Sequence, residues 1–255
     1  MCLITFAYKS HPEYSLILVA NRDEFYQRPS RAMHYWEDRP DILAGRDLEQ
    51  GGTWLGINTA GKFTTVTNYR DGRATKQNPR SRGDLTRLFL SNDTSAPEYL
   101  QELDAIQDQF GDYNLLVGDS SGLFYHSNRG AEATQLQPGV YGLSNALLDT
   151  PWPKLVKVRD ALSKAISSTF TAESLSEIMQ DPTQAAPELL PDTGISNDWE
   201  QLLSSCFINS ENYGTRATTV LLQRHNGETV LLEQNYTKEG KSGQGRIELK
   251  TAPIG

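Results

Sequence analysis

Two features are scarce in this 255-residue chain: cysteine, which occurs only at Cys2 and Cys206, and long apolar runs. Two cysteines cannot build a disulfide framework, and no C-x-x-C or His/Cys spacing typical of zinc sites is present. No run approaches the roughly 18 apolar residues of a membrane span, and the N-terminus lacks the pattern of a secretory signal. We therefore expect a cytoplasmic protein without a membrane span or a metal site.

Basic residues are also in the minority, since 24 Lys and Arg stand against 32 Asp and Glu and the net charge is -8. This balance argues against a general nucleic-acid or anionic-membrane binder. The charge is uneven, however. The acidic segment 173–200 is expected to be solvated surface. A basic stretch is equally compatible with solvated surface and with a rim that receives an anionic ligand, and it contains Arg70, Arg73, Lys76, Arg80, Arg82 and Arg87.

The pattern of apolar residues predicts an α+β fold. Residues 3–8 and 14–20, rich in β-branched and aromatic side chains, predict a hairpin turned at 9–13. Residues 26–50 are expected to form a long loop with a short strand at 42–44. Further strands are predicted over residues 51–58, 62–69, 113–118, 122–126, 140–144, 217–223, 229–234 and 245–250. Helices are predicted over residues 83–90, 96–110, 151–166, 171–179 and 199–206. The order favours one domain over residues 1–255, with two antiparallel sheets packed face to face and helices outside.

Candidate chemistry is concentrated at the N-terminus. If the first two strands pair, the end of the second returns to the start of the first, and Asn21, Arg22 and Asp23 lie beside Cys2. A small second residue permits removal of Met1, which would make Cys2 the mature N-terminus. A free α-amine titrates near ~7.7–8.0, so its neutral form could take the proton of the adjacent thiol. The alternative is that Cys2 is a small apolar residue in an edge strand.

Three further polar stretches lie at the ends of predicted strands, over residues 67–70, 144–145 and 213–216. Asparagine side chains can donate hydrogen bonds to a developing oxyanion. An arginine can lower the pKa of a thiol, and a carboxylate can orient an amine. Asparagine at a strand end is ordinarily a turn former, so each stretch taken alone favours a turn.

Several motifs follow one another in the order found in the NRDE family, also called the transport and Golgi organisation 2 family. They are MCLITF, NRDEF, GGTWLGIN, TNYRD, SRG and YGLSNALLDTPWPK. The match extends from residue 1 to about residue 154, and GTRATTV resembles the C-terminal segment of the family. On these motifs the chain is identified as a member of that family.

The NRDE family in turn resembles the N-terminal-nucleophile hydrolases, particularly choloylglycine hydrolases and penicillin V acylases. This resemblance implies a four-layer αββα sandwich of two antiparallel sheets. It also implies a hydrolase or acyltransferase that acts on a linear carbon–nitrogen amide bond, with Cys2 as nucleophile and its own amine as base. No cofactor is required for that chemistry.

The same resemblance implies roles for the other site residues. Arg22 would tune the thiol, Asp23 would orient the amine, and Asn68 and Asn145 would receive the oxyanion or the amine. Arg216 matches a late arginine of the acylases.

One departure concerns Arg22 and Asp23, which are adjacent here but separated in the acylases. Neighbouring strand residues point to opposite faces, so both reach the site only if the strand ends or bulges there. Otherwise Asn21 takes the vacated place, with Glu24 as a further option.

The family also implies a second function, a non-catalytic role in intracellular haem trafficking; acyl-CoA or lipid handling is a related possibility. Trp36, Trp54, Tyr69 and Arg70 would then form an aromatic and cationic pocket, with haem propionates on arginine. No axial-ligand motif is visible, because the four histidines are isolated. They are His11, His34, His126 and His225. Either function predicts a small, anionic ligand, and neither specifies an oligomeric state.

Overall fold

Two antiparallel sheets form the centre of the protein. The computed structural model describes residues 2–74, 80–130 and 132–255, and within these ranges thirteen strands are present. They are β1 (Cys2–Tyr8), β2 (Tyr14–Phe25), β3 (Ser30–Tyr35), β4 (Ile42–Asp47), β5 (Leu55–Asn58), β6 (Phe63–Asn68), β7 (Tyr113–Asp119), β8 (Gly122–Ser127), β9 (Thr134–Gln135), β10 (Gly139–Leu143), β11 (Tyr213–Arg224), β12 (Glu228–Thr237) and β13 (Gly240–Lys250). The first sheet has the order β10-β1-β2-β11-β12-β13, and the second has the order β3-β4-β5-β6-β7-β8-β9.

Five α-helices are present in the described residues, and the first four cover the outer faces of the sheets. They are α1 (Gly83–Ser91), α2 (Ala96–Asp104), α3 (Pro153–Ala165), α4 (Ala172–Glu177) and α5 (Asn197–Leu202). A capping box starts α2, in which the Ser95 backbone N–H donates to the Glu98 carboxylate at 2.8 Å. None of the helices in the described ranges has the length and apolarity needed to cross a membrane, and the longest has 13 residues.

Side-chain alternation along the strands separates three apolar layers. In β1, Ile4 and Phe6 face the second sheet, whereas Leu3 and Ala7 pack against α3 and α4. On the other side of the molecule, α1 and α2 cover the outer face of the second sheet. Each fully buried leucine in these layers contributes about 1.5–3 kcal/mol of transfer free energy. This arrangement confirms the predicted αββα sandwich.

Two local predictions were wrong. The second strand does not end at residue 20 but continues to Phe25, so the NRDE residues lie inside a strand. In residues 26–50 the predicted short strand at 42–44 is confirmed as part of β4, but the rest is not one loop, because β3 also forms and pairs with β4. Edge strand β3 is half-exposed and polar along most of its length, so it lacks the apolar alternation from which a strand is predicted.

Candidate active site

The register of the first hairpin places Cys2 directly opposite Arg22. In the neighbouring strand β11, Thr215 pairs with Asp23 and Ala217 pairs with Arg22, so a register shift leaves Arg216 as a bulge. The adjacent residues Arg22 and Asp23 both line one cleft with Cys2, and the Asp23 carboxylate lies close to Thr215 and Lys154.

The cleft has a volume of about 510 Å³. It lies among the ends of β1, β2 and β6, the loop between β4 and β5, and the beginning of α1. Its lining residues are Cys2, Arg22, Asp23, Glu24, Arg28, Asp47, Gln50, Thr53, Trp54, Val66, Asn68, Arg80, Ser81, Arg82, Gly83 and Gly111. Gly52 allows this wall to form, because a Cβ there would lie 2.5 Å from the backbone of Gly83.

Cys2 is only 8% exposed, and burial raises the pKa of its thiol, with Asp23 adding to the shift and Arg22 opposing it. A thiol with a raised pKa is largely protonated at neutral pH and needs a base before it can attack. None of the four histidines, all of which lie in the described part of the chain, borders the cleft. The α-amine of Cys2 is therefore the nitrogen base nearest to the thiol once Met1, which lies outside the described residues, is removed.

Arg22 is 6% exposed, and burial lowers its pKa. Its guanidinium carbon lies 4.1 Å from the centroid of the Trp54 ring, and Nη1 donates a hydrogen bond to Ser30 Oγ at 3.3 Å. Among the described residues it forms no ion pair with a carboxylate. Trp54 therefore fixes the plane of a cation that faces both the thiol and the cleft.

Asp23 is buried, and Thr215 Oγ1 donates a hydrogen bond to its carboxylate at 2.8 Å. Burial raises the pKa of Asp23, and the positive charge of Lys154 is the main opposing influence. Lys154 lies in the first turn of α3, where Nζ donates to the carbonyl of Leu203 at 2.7 Å. The burial of Lys154 is not predictable from the sequence, because lysine is almost always exposed and nothing in the local pattern marks it as buried.

We expect Lys154 to make stability depend on pH in the alkaline range. Burial lowers its pKa to about 8, with Asp23 opposing the shift, against 10.5 for the unperturbed group. Between these values the unfolded chain holds a proton that the folded protein has lost, so stability rises with pH. The Lys154 contribution approaches about 1.4 kcal/mol per pH unit.

The measurement is urea unfolding between pH 8 and 10 of the wild type and of Lys154→Met. The variant should lack the Lys154 contribution, so its stability should rise less steeply with pH. Lys164→Met, which removes an exposed lysine from the same helix, controls for the loss of one charge. Equal slopes for the wild type and Lys154→Met would contradict the prediction.

The two predicted asparagines have different positions. Asn68 ends β6 and borders the cleft, and its side-chain amide has no hydrogen-bond partner among the described residues. Asn145 is buried and does not border the cleft; its Nδ2 donates to the Asn68 carbonyl at 2.9 Å. Asn68 can thus meet a ligand directly, whereas Asn145 holds the backbone of Asn68. Ser144 adds a contact of 3.4 Å from its Oγ to the Cys2 carbonyl.

Two other predicted residues lie away from the cleft. Asn21 faces the helical layer, where its Nδ2 donates to the carbonyls of Met179 and Cys206, both at 2.9 Å. Arg216 Nη1 donates to three carbonyls between residues 25 and 28, and its side chain borders a separate cavity. Glu24, the further option, does border the cleft.

The four residues predicted to hold haem do not meet. Trp36 is buried beneath α1 on the outer face of the second sheet. Tyr69 is half-buried, with the Arg129 guanidinium 5.4 Å from its ring centroid. Of the four, only Trp54 borders the cleft.

Arg70, the fourth of these residues, is buried in an ion pair with Glu200, with an N–O distance of 3.0 Å. Its guanidinium carbon also lies 4.4 Å from the ring centroid of Trp152. Glu200 belongs to the segment predicted to be solvated surface. For this residue the prediction was wrong, because Glu200 is buried in its ion pair with Arg70.

The basic stretch contributes only partly to the cleft. Arg80 and Arg82 border it, whereas Arg73 pairs with Asp192 away from it. Lys76 lies outside the described residues. With Arg22 and Arg28, the described lining holds four arginines against three carboxylates.

Comparison with solved structures defines the class of fold. The N-acylethanolamine-hydrolyzing acid amidase ortholog of Caenorhabditis elegans superposes with a TM-score of 0.51 at 12% sequence identity, over 87% of this chain and 92% of that chain. Identity this low shows the fold alone. The protein therefore has an N-terminal-nucleophile-hydrolase-like fold.

The family is established by sequence. The model of the family described as Transport and Golgi organisation 2 matches residues 1–238. The Transport and Golgi organization protein 2 homolog of Bos taurus is 36% identical over 92% of this chain and 93% of its own. The Homo sapiens homolog is 35% identical over 92% of this chain and 93% of the length of that protein. The chain belongs to the Transport and Golgi organisation 2 family.

Proposed function

We propose that this protein, after removal of Met1, hydrolyses a linear carbon–nitrogen amide bond with Cys2 as nucleophile. The observation that carries the proposal is the position of the Cys2 thiol, at the edge of a polar cleft whose lining also contains Arg22, Asp23 and Asn68. The free α-amine of Cys2 is the base, because no histidine among the described residues borders this cleft.

The reaction has two halves. The amine takes the proton from the thiol, and Sγ attacks the amide carbonyl carbon, which forms a tetrahedral oxyanion. When the carbon–nitrogen bond breaks, the ammonium returns its proton to the leaving amine, and a thioester remains on Cys2. The amine then takes a proton from water, whose oxygen attacks the thioester. The carboxylic acid leaves as the thiol is restored. A second amine in place of water would make the protein an acyltransferase.

Asn68 is the candidate donor to the oxyanion. We expect Asn68→Ala to lower kcat by about 10²–10³ with little change in KM, because an oxyanion-hole bond strengthens only in the transition state. Asn68→Asp, which keeps the shape but removes the N–H donors, should be impaired at least as much. Steady-state kinetics decide the question, with thermal unfolding to show that both variants fold. Near-wild-type kcat in both would exclude Asn68 from this role.

The charges around the cleft favour a small anionic substrate. Arg28 is held by Asp47 at 2.7 Å, and Arg82 Nε donates to the Asp112 carbonyl at 2.7 Å. These contacts fix two guanidinium groups at the rim while leaving part of their donor capacity for a ligand. A carboxylate or phosphate on the substrate could be bound there.

Labelling with an amide-mimicking electrophile tests the proposal. The protein without Met1 should be modified at Cys2 and not at Cys206, which is buried and does not border the cleft. Peptide mass spectrometry separates the two sites, and Cys2→Ala should abolish the labelling. Absence of label on Cys2 in the protein without Met1 would overturn the hydrolase proposal.

The residues predicted to hold haem are not brought together at the cleft. Its described lining contains one large aromatic residue, Trp54, and none of the four histidines, and the predicted group of Trp36, Tyr69 and Arg70 lies elsewhere. Amide hydrolysis is therefore the function that the geometry supports best.

A further inference from the structure

The candidate nucleophile and the candidate oxyanion donor lie on different sheets. Cys2 begins β1 of the first sheet, whereas Asn68 ends β6 of the second. The core between the sheets is apolar, and Ile4 and Phe6 of β1 are among its buried members. Apolar packing holds two sheets about 10 Å apart but is non-directional, so it does not fix one strand end against another. The position of Asn68 relative to Cys2 therefore depends on directional contacts at this end of the sandwich.

The loop of residues 144–148 makes such contacts. It follows β10, which neighbours β1 in the first sheet, and it closes at Asp149, whose backbone N–H donates to the Gly142 carbonyl at 2.8 Å. The backbone of the loop is also bound by three side chains of the second sheet, which we call the polar seam. They are Thr67 on β6, Asn114 on β7 and Tyr125 on β8. The loop thus joins the two sheets beside the cleft.

The polar seam binds the loop on both sides of Asn145. Thr67 Oγ1 donates to the Ser144 carbonyl at 2.6 Å, and Asn114 Nδ2 donates to the Ala146 carbonyl at 2.9 Å. Asn145 lies between these two bound carbonyls, and its side chain holds the backbone carbonyl of the candidate oxyanion donor. The seam therefore fixes the backbone of the residue on which the donor depends.

Asn114 is the centre of the seam. Its side chain is fully buried, Nδ2 also donates to Thr67 Oγ1 at 3.1 Å, and Oδ1 accepts from the Tyr125 hydroxyl at 2.8 Å. The Tyr125 hydroxyl in turn accepts from the Leu148 N–H at 3.2 Å. Each hydroxyl of the seam thus donates one hydrogen bond and accepts another, and both N–H groups and the oxygen of the amide are used. A network satisfied in this way holds its members in one arrangement.

We propose that Asn114 is a positioning residue of the candidate active site. By binding the loop that carries Asn145 to the second sheet, it fixes the position of Asn68 relative to Cys2. Asn114 does not border the cleft, so it acts through Asn145 and Asn68 and not by contact with the substrate. This role rests on the proposed amide hydrolysis, and one of its tests needs no substrate.

Hydrogen exchange tests the seam without a substrate. The Arg70 N–H, which donates to the Asn145 carbonyl, is the reporter. Asn114→Leu keeps the approximate volume of the side chain and removes its polar atoms. We expect the Arg70 N–H to exchange at least about tenfold faster in this variant than in Gln223→Leu, because the loop opens locally. Gln223→Leu is the matched control, since it removes another fully buried amide, at the other end of the first sheet.

The comparison is made by NMR at urea concentrations that give Asn114→Leu and Gln223→Leu the same free energy of unfolding. Global unfolding then contributes equally to exchange in both variants, and the remaining difference reports the local opening of the loop. Exchange of the Arg70 N–H that is no faster in Asn114→Leu than in Gln223→Leu would overturn the proposal.

Acylation of Cys2 tests the consequence for catalysis. The probe is 4-nitrophenyl acetate, added to the protein without Met1, with the background of Cys2→Ala subtracted. The α-amine takes the thiol proton, Sγ attacks the ester carbonyl, and collapse of the oxyanion releases 4-nitrophenolate and leaves an acetyl thioester. We expect Asn114→Leu to lower the saturating rate constant of acylation about 10–100-fold. The half-saturating concentration should stay within about twofold, because Asn114 does not contact the probe.

Two substitutions of Thr67 separate positioning from packing. Thr67→Val keeps the shape of the side chain but removes the hydroxyl, whereas Thr67→Ser keeps the hydroxyl and removes a methyl group. Acylation should be slow in Thr67→Val and close to the wild-type rate in Thr67→Ser, whichever of the two is less stable in urea. Rates that fell in proportion to the loss of stability in both variants would assign the effect to packing and overturn the positioning role.

The two proposals can fail independently. Acylation of Cys2 in the wild type, with unchanged rates in Asn114→Leu and Thr67→Val, would retain the hydrolase and overturn the positioning role. Faster exchange of the Arg70 N–H in Asn114→Leu, without acylation of Cys2 in the wild type, would support the seam as the structure that holds Asn145 and overturn the hydrolase.

Discussion

Protein that begins at Cys2 should hydrolyse amides about 10²–10⁴-fold faster than the same protein with Met1 retained, which is the range that one general base contributes. Burial raises the pKa of the Cys2 thiol, so little thiolate forms without a base. With Met1 attached, the nitrogen of Cys2 is an amide and cannot accept the proton. The thiol then keeps its place in the cleft but loses its reactivity.

A matched pair of proteins measures this effect. A cleavable leader that leaves Cys2 as the first residue gives one form, and a form whose intact mass shows Met1 gives the other. Turnover should rise with pH as the amine loses its proton, because the ammonium form cannot act as a base. Cys2→Ser in the processed form keeps the amine and replaces the thiol by a weaker nucleophile, so it should be much slower than the wild type.

Equal turnover by both forms would assign the base to another group. Asp23 would be the first alternative, since it is a carboxylate that borders the cleft with Cys2. Inactivity of both forms, on a range of neutral and anionic amides, would instead mean that the protein uses this fold to bind a ligand without hydrolysing it.

The sequence predicted the pairing of the first hairpin better than it predicted the limits of β2. The apolar run stops at Ala20, and Asn21 was therefore assigned to the end of the strand. In the structure Asn21 is buried because its amide donates to Met179 and Cys206, which are 158 and 185 residues away. A polar residue can continue a buried strand when distant partners satisfy it. A single sequence does not reveal such partners.

The failed prediction of an aromatic and cationic pocket has the same origin. Trp36 and Trp54 have similar chemistry, but they face different layers, and only Trp54 stacks on Arg22 in the cleft. Residue type predicted what each side chain could bind. The face on which it lies depends on strand register, which the irregular pattern of residues 26–50 did not specify.

Removal of the Glu200 carboxylate should destabilise the protein strongly. Glu200→Gln leaves the Arg70 guanidinium charged, buried and without its counter-ion, and breaking a buried pair in this way costs about 3–5 kcal/mol. Both groups are nearly inaccessible, at 6% and 3% side-chain exposure. Denaturant unfolding of the wild type and the variant measures the loss.

The Glu200→Gln substitution should also change the position of Asn68 at the cleft. The Arg70 backbone N–H donates to the Asn145 carbonyl at 2.7 Å, and the Asn145 side chain holds the carbonyl of Asn68. Displacement of Arg70 therefore moves the candidate oxyanion donor. We expect Glu200→Gln to lower kcat as well as stability, even at temperatures where the variant remains folded.

An exposed pair and a double variant identify the cause. Asp192→Asn breaks the ion pair between Arg73 and Asp192, whose side chains are 61% and 83% exposed, and should cost less than about 1 kcal/mol. Arg70→Met with Glu200→Leu removes both buried charges and should recover much of the stability lost in Glu200→Gln. If Glu200→Gln lowered the free energy of unfolding no more than Asp192→Asn does, Arg70 would be free to move to solvent. The ion pair with Glu200 would then not hold Asn145 in place.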